Sequence, residues 1–346
     1  MTNAYHGQKL AFRIAAIQDQ TYPASTHLDP IADITVPIRE GFARHTLQGL
    51  NLFALEMFNQ FDNVLGVRKD DFMTVTKNGI PLAIDNGNRF AKEETAQVDI
   101  LKVDFRAEQL TAEVKVTNLT GYRFPSGVGF RRAFLEFKAI DAHNRVVWAS
   151  GQTNSLGVLV DGNGKPLPSE FFEVDSSSSK QTYQPHHQTI TRQDQTQIYE
   201  ELVYDTEGKF TTSFLSLYGR KKDNCLLPKG RTADGPPGFK WAAHTMPYLV
   251  DGAGTPVDNA EFVDDTGSDT ITFKVNLPRH VVKGGTVVAT LYYQSIPPAY
   301  LQDRFTTVQG KDTRRLHYLT SHLNQAGTHI EKWKLLVDSQ RRSIGS

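Results

Sequence analysis

Two adjacent histidines, His186 and His187, are the most conspicuous side chains for chemistry, and they lie in the segment YQPHHQTI. An imidazole titrates near neutral pH and is a common metal ligand, so such a pair suits acid–base catalysis or metal binding. Neighbouring side chains of an extended segment point to opposite faces, which disfavours one shared metal ion. The pattern favours a pair held by backbone carbonyls. A hydrolase-type enzyme that combines one imidazole with Asp194 or Glu200 stays open as an alternative.

The remaining reactive residues form no recognisable catalytic constellation. His45 precedes a helical pattern, where it can cap the helix or reach a partner. The sequence lacks the metalloprotease motif HExxH, the nucleophile motif GxSxG and the phosphate- and dinucleotide-binding glycine motifs. An acidic run at 258–269 offers oxygen ligands for Ca²⁺, but its spacing does not fit an EF-hand and favours a solvated loop. The sequence therefore favours a protein that is not an enzyme, with no catalytic residue and no metal ligand.

The single cysteine, Cys225, limits the redox chemistry open to the chain. It excludes an intrachain disulfide framework, a thiolate zinc cluster and a CxxC pair. It also excludes covalently attached haem c, because the CxxCH motif needs two cysteines. Basic neighbours favour a reactive thiolate, whereas the adjacent Leu226 and Leu227 favour inert packing.

The charge and hydropathy of the chain exclude two classes of partner. Lysine plus arginine and aspartate plus glutamate each total 38, so the formal net charge is zero. A chain without net charge exerts no long-range attraction on nucleic acid, and we expect no nucleic-acid partner. No apolar run approaches the ~18 residues that span a bilayer, which predicts no membrane span. The segment Met1–Leu10 has no basic region followed by an apolar stretch, so this sequence, expressed as written, is expected in the cytoplasm.

The spacing of apolar residues predicts two helices that flank a β-rich region. Apolar residues recur every three or four positions in Leu47–Phe61 and again in Thr313–Leu323, as on one face of a helix. Between them, apolar and polar residues alternate in runs bounded by turn residues. The clearest predicted strands are Thr111–Thr117, Leu135–Ala139, Ile271–Leu277 and Thr286–Tyr293.

The predicted fold class is mainly β, an antiparallel Ig-like β-sandwich with long loop insertions, a helical N-terminal arm and a C-terminal helix. A helical or irregular N-terminal region is expected at 1–95. The sandwich follows at 96–300, with insertions at about 156–194 and 218–270, and a C-terminal helix and closing strand complete the chain at 301–346. Insertions of that length are usually functional or cover the edge of a sheet.

Several of these segments together resemble the C-terminal β-sandwich region of bacterial multihaem c-type cytochromes. Arg44–Asn51 resembles the RHTxxGxN segment that follows the last haem motifs in those proteins. Val116–Gly121, followed by Phe124–Gly127, resembles their VTNLTGHKxP[ST]G loop, which Phe130–Leu135 continues. Further matching segments are Gln193–Glu201 and Lys222–Gly230. The resemblance covers most of residues 40–340.

The resemblance implies a protein that takes part in electron transfer. In that family, an N-terminal haem-bearing region is fused to the sandwich, and the whole protein is periplasmic or extracellular. Haem c is implied as the family's cofactor, although this sequence has no CxxCH motif to bind it covalently. The implied function is a haem-free scaffold or docking module, a fragment of a larger polypeptide. Its implied partner is a haem-bearing segment or a redox protein.

The resemblance also implies which residues contact haem. The usual histidine of the NLTGH loop is Tyr122 here, a harder iron ligand than imidazole, which leaves His45 as the matching ligand. The arginines near that loop are predicted to face haem propionates, or else to lie in solvent or pair with Glu136 and Glu170. The candidate haem ligands and propionate contacts are His45, Tyr122, Arg123, Arg131, Arg132, His186 and His187.

A second function from another class stays open, a ligand- or carbohydrate-binding β-sandwich. Its site would be formed by the two long insertions. It predicts a concave surface with exposed aromatic rings, for which Trp148, Tyr183 and Trp241 are the candidates.

Overall fold

The computed structural model describes residues 4–5, 8–13, 38–42, 49–67, 79–172, 182–231, 247–251, 253–263 and 265–344. The chain divides into two units, residues 1–48 and residues 49–346. The strands of the first unit are β1 (Ala4–Tyr5), β2 (Gln8–Arg13) and β3 (Ile38–Phe42). They form an antiparallel sheet with β2 in the middle.

The second unit begins with helices, where the sequence predicts one helix from Leu47 to Phe61. Helix α1 (Leu52–Gln60) follows Asn51, whose side chain accepts a hydrogen bond from the amide of Ala54 at 3.1 Å. This cap satisfies one of the free N–H groups at the start of the helix. Further helical segments are α2 (Asp62–Leu65) and α3 (Gly79–Phe90), which a π-helical turn at 91–95 extends into the first strand of this unit.

Twelve strands follow in the described part of this unit. Their bounds are β4 (Ala96–Arg106), β5 (Gln109–Asn118), β6 (Arg132–Ile140), β7 (Val146–Ser150), β8 (Gln152–Thr153), β9 (Leu159–Val160), β10 (Thr189–Ile190), β11 (Ile198–Tyr204), β12 (Gly219–Asp223), β13 (Ser268–Asn276), β14 (Thr286–Gln294) and β15 (Leu335–Ser343). One sheet has the order β10-β13-β5-β4, and a second has the order β12-β11-β6-β14-β15, with β7 also paired to β6. Strands β8 and β9 form a separate hairpin.

The core lies between these two sheets. In β5, buried residues alternate with half-buried ones, as the period-two pattern predicts. The rings of Phe137 on β6 and Phe273 on β13 stack with their centroids 4.0 Å apart, which joins the two sheets directly. Each sheet buries one face against the other at this contact, so the two sheets form a sandwich.

The second face of β6 is also buried, so this strand is covered on both sides although its sequence alternates between apolar and polar residues. Phe134 packs there with Leu159, Leu167 and Ile198 in a smaller apolar cluster. Leu159 and Leu167 belong to the first predicted insertion, so that part of the insertion covers the outer face of the sheet. The polar residues Arg132 and Glu136 share this outer face and are buried with it.

Short helices complete the second unit. In the described part of the chain they are α4 (Ala260–Val263), α5 (Arg279–Val282), α6 (Pro298–Thr307) and α7 (Lys311–His322), with a 3₁₀ turn at Glu331–Trp333 before β15. The prediction of a mainly β fold with helices in the N- and C-terminal regions is confirmed. One pairing among the described strands departs from the antiparallel expectation, because β10 runs parallel to β13. No helix of the described residues is long and apolar enough to cross a bilayer.

Candidate functional site

His186 lies at the centre of a buried polar group that we call the histidine cluster, formed by His186, Gln197, Tyr199, Asn224 and Asp269. Its Nδ1 atom lies 3.0 Å from Nε2 of Gln197 and 3.2 Å from Nδ2 of Asn224. Amide nitrogens donate, so Nδ1 accepts; Nε2 lies 3.2 Å from the amide nitrogen of Asn259 and 3.6 Å from Oδ1 of Asp269. The side chains of His186 and Asp269 are completely buried.

Asp269 accepts hydrogen bonds from two other members of the histidine cluster. Its Oδ2 accepts from the Tyr199 hydroxyl at 2.9 Å and from Nε2 of Gln197 at 3.2 Å. Burial, with the nearby Asp269 charge, raises the pKa of Tyr199 well above its usual value, so this hydroxyl stays protonated and donates. The cluster therefore connects β11, β13 and the end of β12 by hydrogen bonds, and its closure to solvent argues against a role in binding substrate.

His187 belongs to a different set of contacts, as expected for adjacent residues of an extended segment. Its Nε2 lies 3.0 Å from Oε1 of Gln184, which also accepts from the amide of Thr196. Burial, followed by the positive charge of Lys222, lowers the pKa of His187 to about 3. The ring is therefore neutral at physiological pH and donates from Nε2 to Gln184.

Arg132 forms a complete ion pair inside the protein. Two of its nitrogens donate to the two carboxylate oxygens of Glu170 at 2.7 and 2.8 Å, and its Nε donates to Oε1 of Gln294 at 2.8 Å. Glu170 also accepts from the amide of Leu159 at 2.9 Å. The polar atoms of this pair have partners inside the protein, so the guanidinium of Arg132 pairs with Glu170. Glu170 is one of the two carboxylates that the sequence suggests as an alternative to haem propionates.

A second arginine site is open to solvent, and we call it the arginine pocket. It is a cavity of about 270 Å³ whose lining includes Arg123, Arg131, Glu201 and Cys225. Arg123 forms an ion pair with the buried Asp223, whereas Nη1 of Arg131 donates to the carbonyl of Ser126 at 3.1 Å. Burial raises the pKa of the Cys225 thiol, so the thiol is neutral and packs as an apolar group.

Asn118 holds the loop that precedes the arginine pocket. Its Nδ2 donates to the carbonyl of Tyr122 at 2.7 Å and to the carbonyl of Leu227 at 3.1 Å. Its Oδ1 accepts from the backbone amide and the hydroxyl of Thr120. Partial burial raises the pKa of Tyr122, and the side chain remains 41% exposed beside the loop. The asparagine of the NLTG motif therefore fixes the backbone that presents Tyr122 and Arg123.

An exposed apolar segment lies between β11 and β12, and we call it the apolar rim: Phe214, Leu215, Leu217 and Tyr218. Their exposed fractions are 64%, 100%, 47% and 68%. Phe214 and Leu217 line a cavity of about 120 Å³, which the stacked rings of Phe130 and Tyr300 also line. Contiguous apolar residues exposed in this way mark interaction surfaces.

The two described aromatic residues that were candidates for a ligand site, Trp148 and Tyr183, lie in different environments. Trp148 is buried and its ring contacts that of Phe137 edge-on in the core. Tyr183 lines the 120 Å³ cavity, and its hydroxyl donates to the carbonyl of Asp251 at 2.9 Å. Trp241 lies outside the described residues, as does His45.

The candidate residues of the described part do not fit a haem held by this chain alone. The ring nitrogens of His186 and His187 are buried and face other side chains. The cavity beside Arg131 and the cavity beside Arg132 measure about 270 and 120 Å³. Neither cavity has room for a porphyrin ring with its side chains. Across the described residues, no three histidine, cysteine or carboxylate side chains gather to hold a metal ion.

Comparison with known proteins gives a single neighbour to report. No family model matches the chain, and no curated protein matches it. The chain is similar to a penta-haem cytochrome c552 from Thermochromatium tepidum, with 14% sequence identity and a TM-score of 0.34. The likeness covers 74% of this chain and 40% of that cytochrome, so this chain spans less than half of its length.

Sequence reasoning missed Asp269, Gln197 and Asn224, although a signal for one of them exists. Ile271, Phe273 and Val275 alternate toward the core, and Asp269 stands two residues before Ile271 on the same face. The spacing of the acidic run favours a solvated loop, whereas the period of the following strand places this carboxylate inside. No comparable pattern marks Asn224, because its position depends on contacts across the fold.

Proposed function

We propose that this chain is a haem-free docking module of an electron-transfer protein of the multihaem-cytochrome type, and that it is not an enzyme. Its partner is a haem-bearing segment or redox protein, which supplies the cofactor. The observation that carries the docking role is the apolar rim, where four neighbouring large side chains are exposed beside an aromatic-lined cavity. The redox nature of the partner rests on the resemblance of the segments at 44–51 and 116–135.

The burial and the hydrogen-bond partners of His186 and His187 support a role without catalysis. A general base needs access to the proton that it removes. His186 is completely buried among donors and acceptors, and burial keeps His187 neutral with its Nε2 directed at Gln184. Neither imidazole is therefore available to a substrate, which removes the main support for the hydrolase alternative.

The apolar rim can be tested by binding to a purified multihaem c-type cytochrome, measured by surface plasmon resonance with this chain immobilised. We expect saturable binding, weakened at least about tenfold when Phe214→Ser and Leu215→Ser are combined, since burying each such side chain contributes about 1.5–3 kcal/mol. Both side chains are largely exposed, so the double variant should fold.

Leu156→Ser is the matched control, because Leu156 is 68% exposed on a different loop. It should bind the cytochrome as the unmodified chain does. Failure of the cytochrome to bind, equal binding of a haem-free β-sandwich protein in the same assay, or full affinity in the double variant would each contradict the proposed function.

A further inference from the structure

Arg131 carries a positive charge that its surroundings do not neutralise. Within the described part of the chain, no carboxylate lies at ion-pair distance from it, and Nη1 donates to a backbone carbonyl, that of Ser126. The hydroxyl of Tyr293 makes a side-chain hydrogen bond with Arg131, but it is neutral because burial raises its pKa to about 12, so it does not balance the charge. The Nε–H of Arg131 is buried and has no acceptor. A buried donor without a partner is unfavourable, so this geometry indicates that an acceptor is missing.

The other charged groups around the arginine pocket are paired with one another. Arg123 pairs with Asp223, and Arg220 pairs with Glu201 at 2.7 Å and approaches Asp223 at 3.4 Å. Among the charged side chains that line the pocket, Arg123 and Glu201 each pair with an opposite charge, whereas Arg131 does not and supplies one unbalanced positive charge. A single excess positive charge matches a monoanion. The carboxylates of Glu201 and Asp223 disfavour a dianion such as phosphate.

The loop that forms the pocket is shaped around the Arg131 guanidinium. Gly127 has a φ of 91°, and a Cβ atom built on it would lie 2.8 Å from Nη1 of Arg131. A residue with a side chain would therefore be strained in its backbone and would displace the guanidinium. The lining also includes the apolar side chains of Pro125 and Val128 and the neutral Cys225.

We infer that the arginine pocket is a binding site for a small monocarboxylate, held by the Arg131 guanidinium, with its short apolar tail against Pro125 and Val128. Planar guanidinium and carboxylate groups form two parallel hydrogen bonds, which makes arginine the suitable residue. The volume of about 270 Å³ is ample for an anion with a tail of a few carbons. This inference goes beyond the docking role and does not depend on the apolar rim.

The test is a titration of the isotope-labelled protein with sodium propionate, followed by the NMR signals of the Arg131 Nε–H and the Gly127 amide. Sodium chloride at equal ionic strength gives the reference. We expect saturable shifts at both signals with propionate and none that saturate with chloride. Equal responses to the two salts would overturn the inference. So would the absence of saturation by roughly 100 mM propionate, a concentration well above the dissociation constant of a specific weak ligand.

Variants separate the role of the guanidinium from that of charge. Arg131→Lys keeps the charge but loses the paired geometry, and it should weaken propionate binding at least about tenfold. Arg106→Met, which changes an arginine that is 85% exposed elsewhere, should bind propionate unchanged. Unaltered binding in Arg131→Lys would contradict the assignment. Should Arg131→Lys not fold, the titration of the unmodified chain still decides the question.

Discussion

The histidine cluster and the arginine pocket contain similar chemical groups but differ in how completely those groups are paired. In the histidine cluster, Nδ1 of His186 and both carboxylate oxygens of Asp269 have partners within the chain, and the cluster is closed to solvent. In the arginine pocket, Arg131 has a buried N–H without an acceptor next to an open cavity. A complete buried network fixes the packing of the strands, whereas an incomplete one at the surface indicates a place for a ligand.

Arg131 and Arg132 show the same difference at adjacent positions. Arg132 begins β6 on its outer face, where the first insertion covers it and supplies Glu170. Arg131 precedes the strand and turns back toward Ser126 in the loop. The two side chains therefore meet different surroundings, and identical chemistry serves stability at one position and recognition at the other.

The largest expected effect compares these two arginines. Arg132→Met leaves Glu170 buried without its cation, which should reduce the free energy of unfolding by roughly 3–5 kcal/mol. Arg131→Met removes no ion pair and should reduce it by no more than about 1 kcal/mol. Urea denaturation followed by tryptophan fluorescence measures both values. Similar losses for the two variants would show that Arg131 is also paired, and combining Arg132→Met with Glu170→Gln should recover part of the loss.

Asp269→Ala should have the next largest effect, because it removes the acceptor shared by Tyr199, Gln197 and Asn259. Several buried donors then lack partners, each at a cost of about 1–3 kcal/mol, so we expect a loss of roughly 3 kcal/mol in unfolding free energy. The control is Asp258→Ala, which changes an exposed carboxylate and should alter stability by less than about 0.5 kcal/mol. A small loss at Asp269 would mean that water replaces the carboxylate within the cluster.

The sequence predicted the sheets better than the polar contacts inside them. The strands expected at Thr111–Thr117 and Ile271–Leu277 correspond to β5 and β13, because alternation of apolar residues is a local property that burial of one face enforces. The covering of the outer face of β6 was not predictable from β6 itself. Its cover comes from residues such as Leu159 and Leu167, which are distant in sequence.

Prediction of the site was correspondingly uneven. The motif around Tyr122 drew attention to Arg123 and Arg131, and the structure places both arginines at one pocket. Their roles differ because Asp223, about a hundred residues away, reaches Arg123 and not Arg131. Sequence spacing gives no measure of such long-range pairing, which depends on how β11 and β12 bring Asp223 to the loop.

The pH dependence of stability tests the environment of His187, and the expected change in unfolding free energy per pH unit is smaller than the losses above. The pKa of His187 is about 3 in the folded protein, against its ordinary value of 6.5. Between these values only the unfolded chain binds the proton, so unfolding becomes easier as the pH falls below 6.5, and the loss is complete below about 3. The slope contributed by His187 is at most about 1.4 kcal/mol per pH unit.

Urea denaturation at pH 7, 6 and 5 measures this slope, and His187→Gln is the variant to compare. Glutamine keeps a polar group near Gln184 but does not titrate, so the stability of the variant should fall less steeply than that of the unmodified chain. Parallel pH profiles for the two proteins would show that His187 is protonated in the folded state or that other groups dominate the titration.

The smallest effect concerns Gly127, and it connects stability to ligand binding in the arginine pocket. Gly127→Ala places a side chain at a φ of 91° and a Cβ atom 2.8 Å from Nη1 of Arg131. We expect a loss of about 1 kcal/mol in unfolding free energy from the backbone conformation, together with weaker propionate binding because the guanidinium moves. Gly164→Ala is the matched control. Gly164 has a φ of 78°, but no atom lies within 4 Å of the position that the new methyl group would take. The Gly164→Ala variant should therefore lose similar stability and retain full propionate binding. If both variants bind propionate equally well, the loop around Gly127 does not position Arg131.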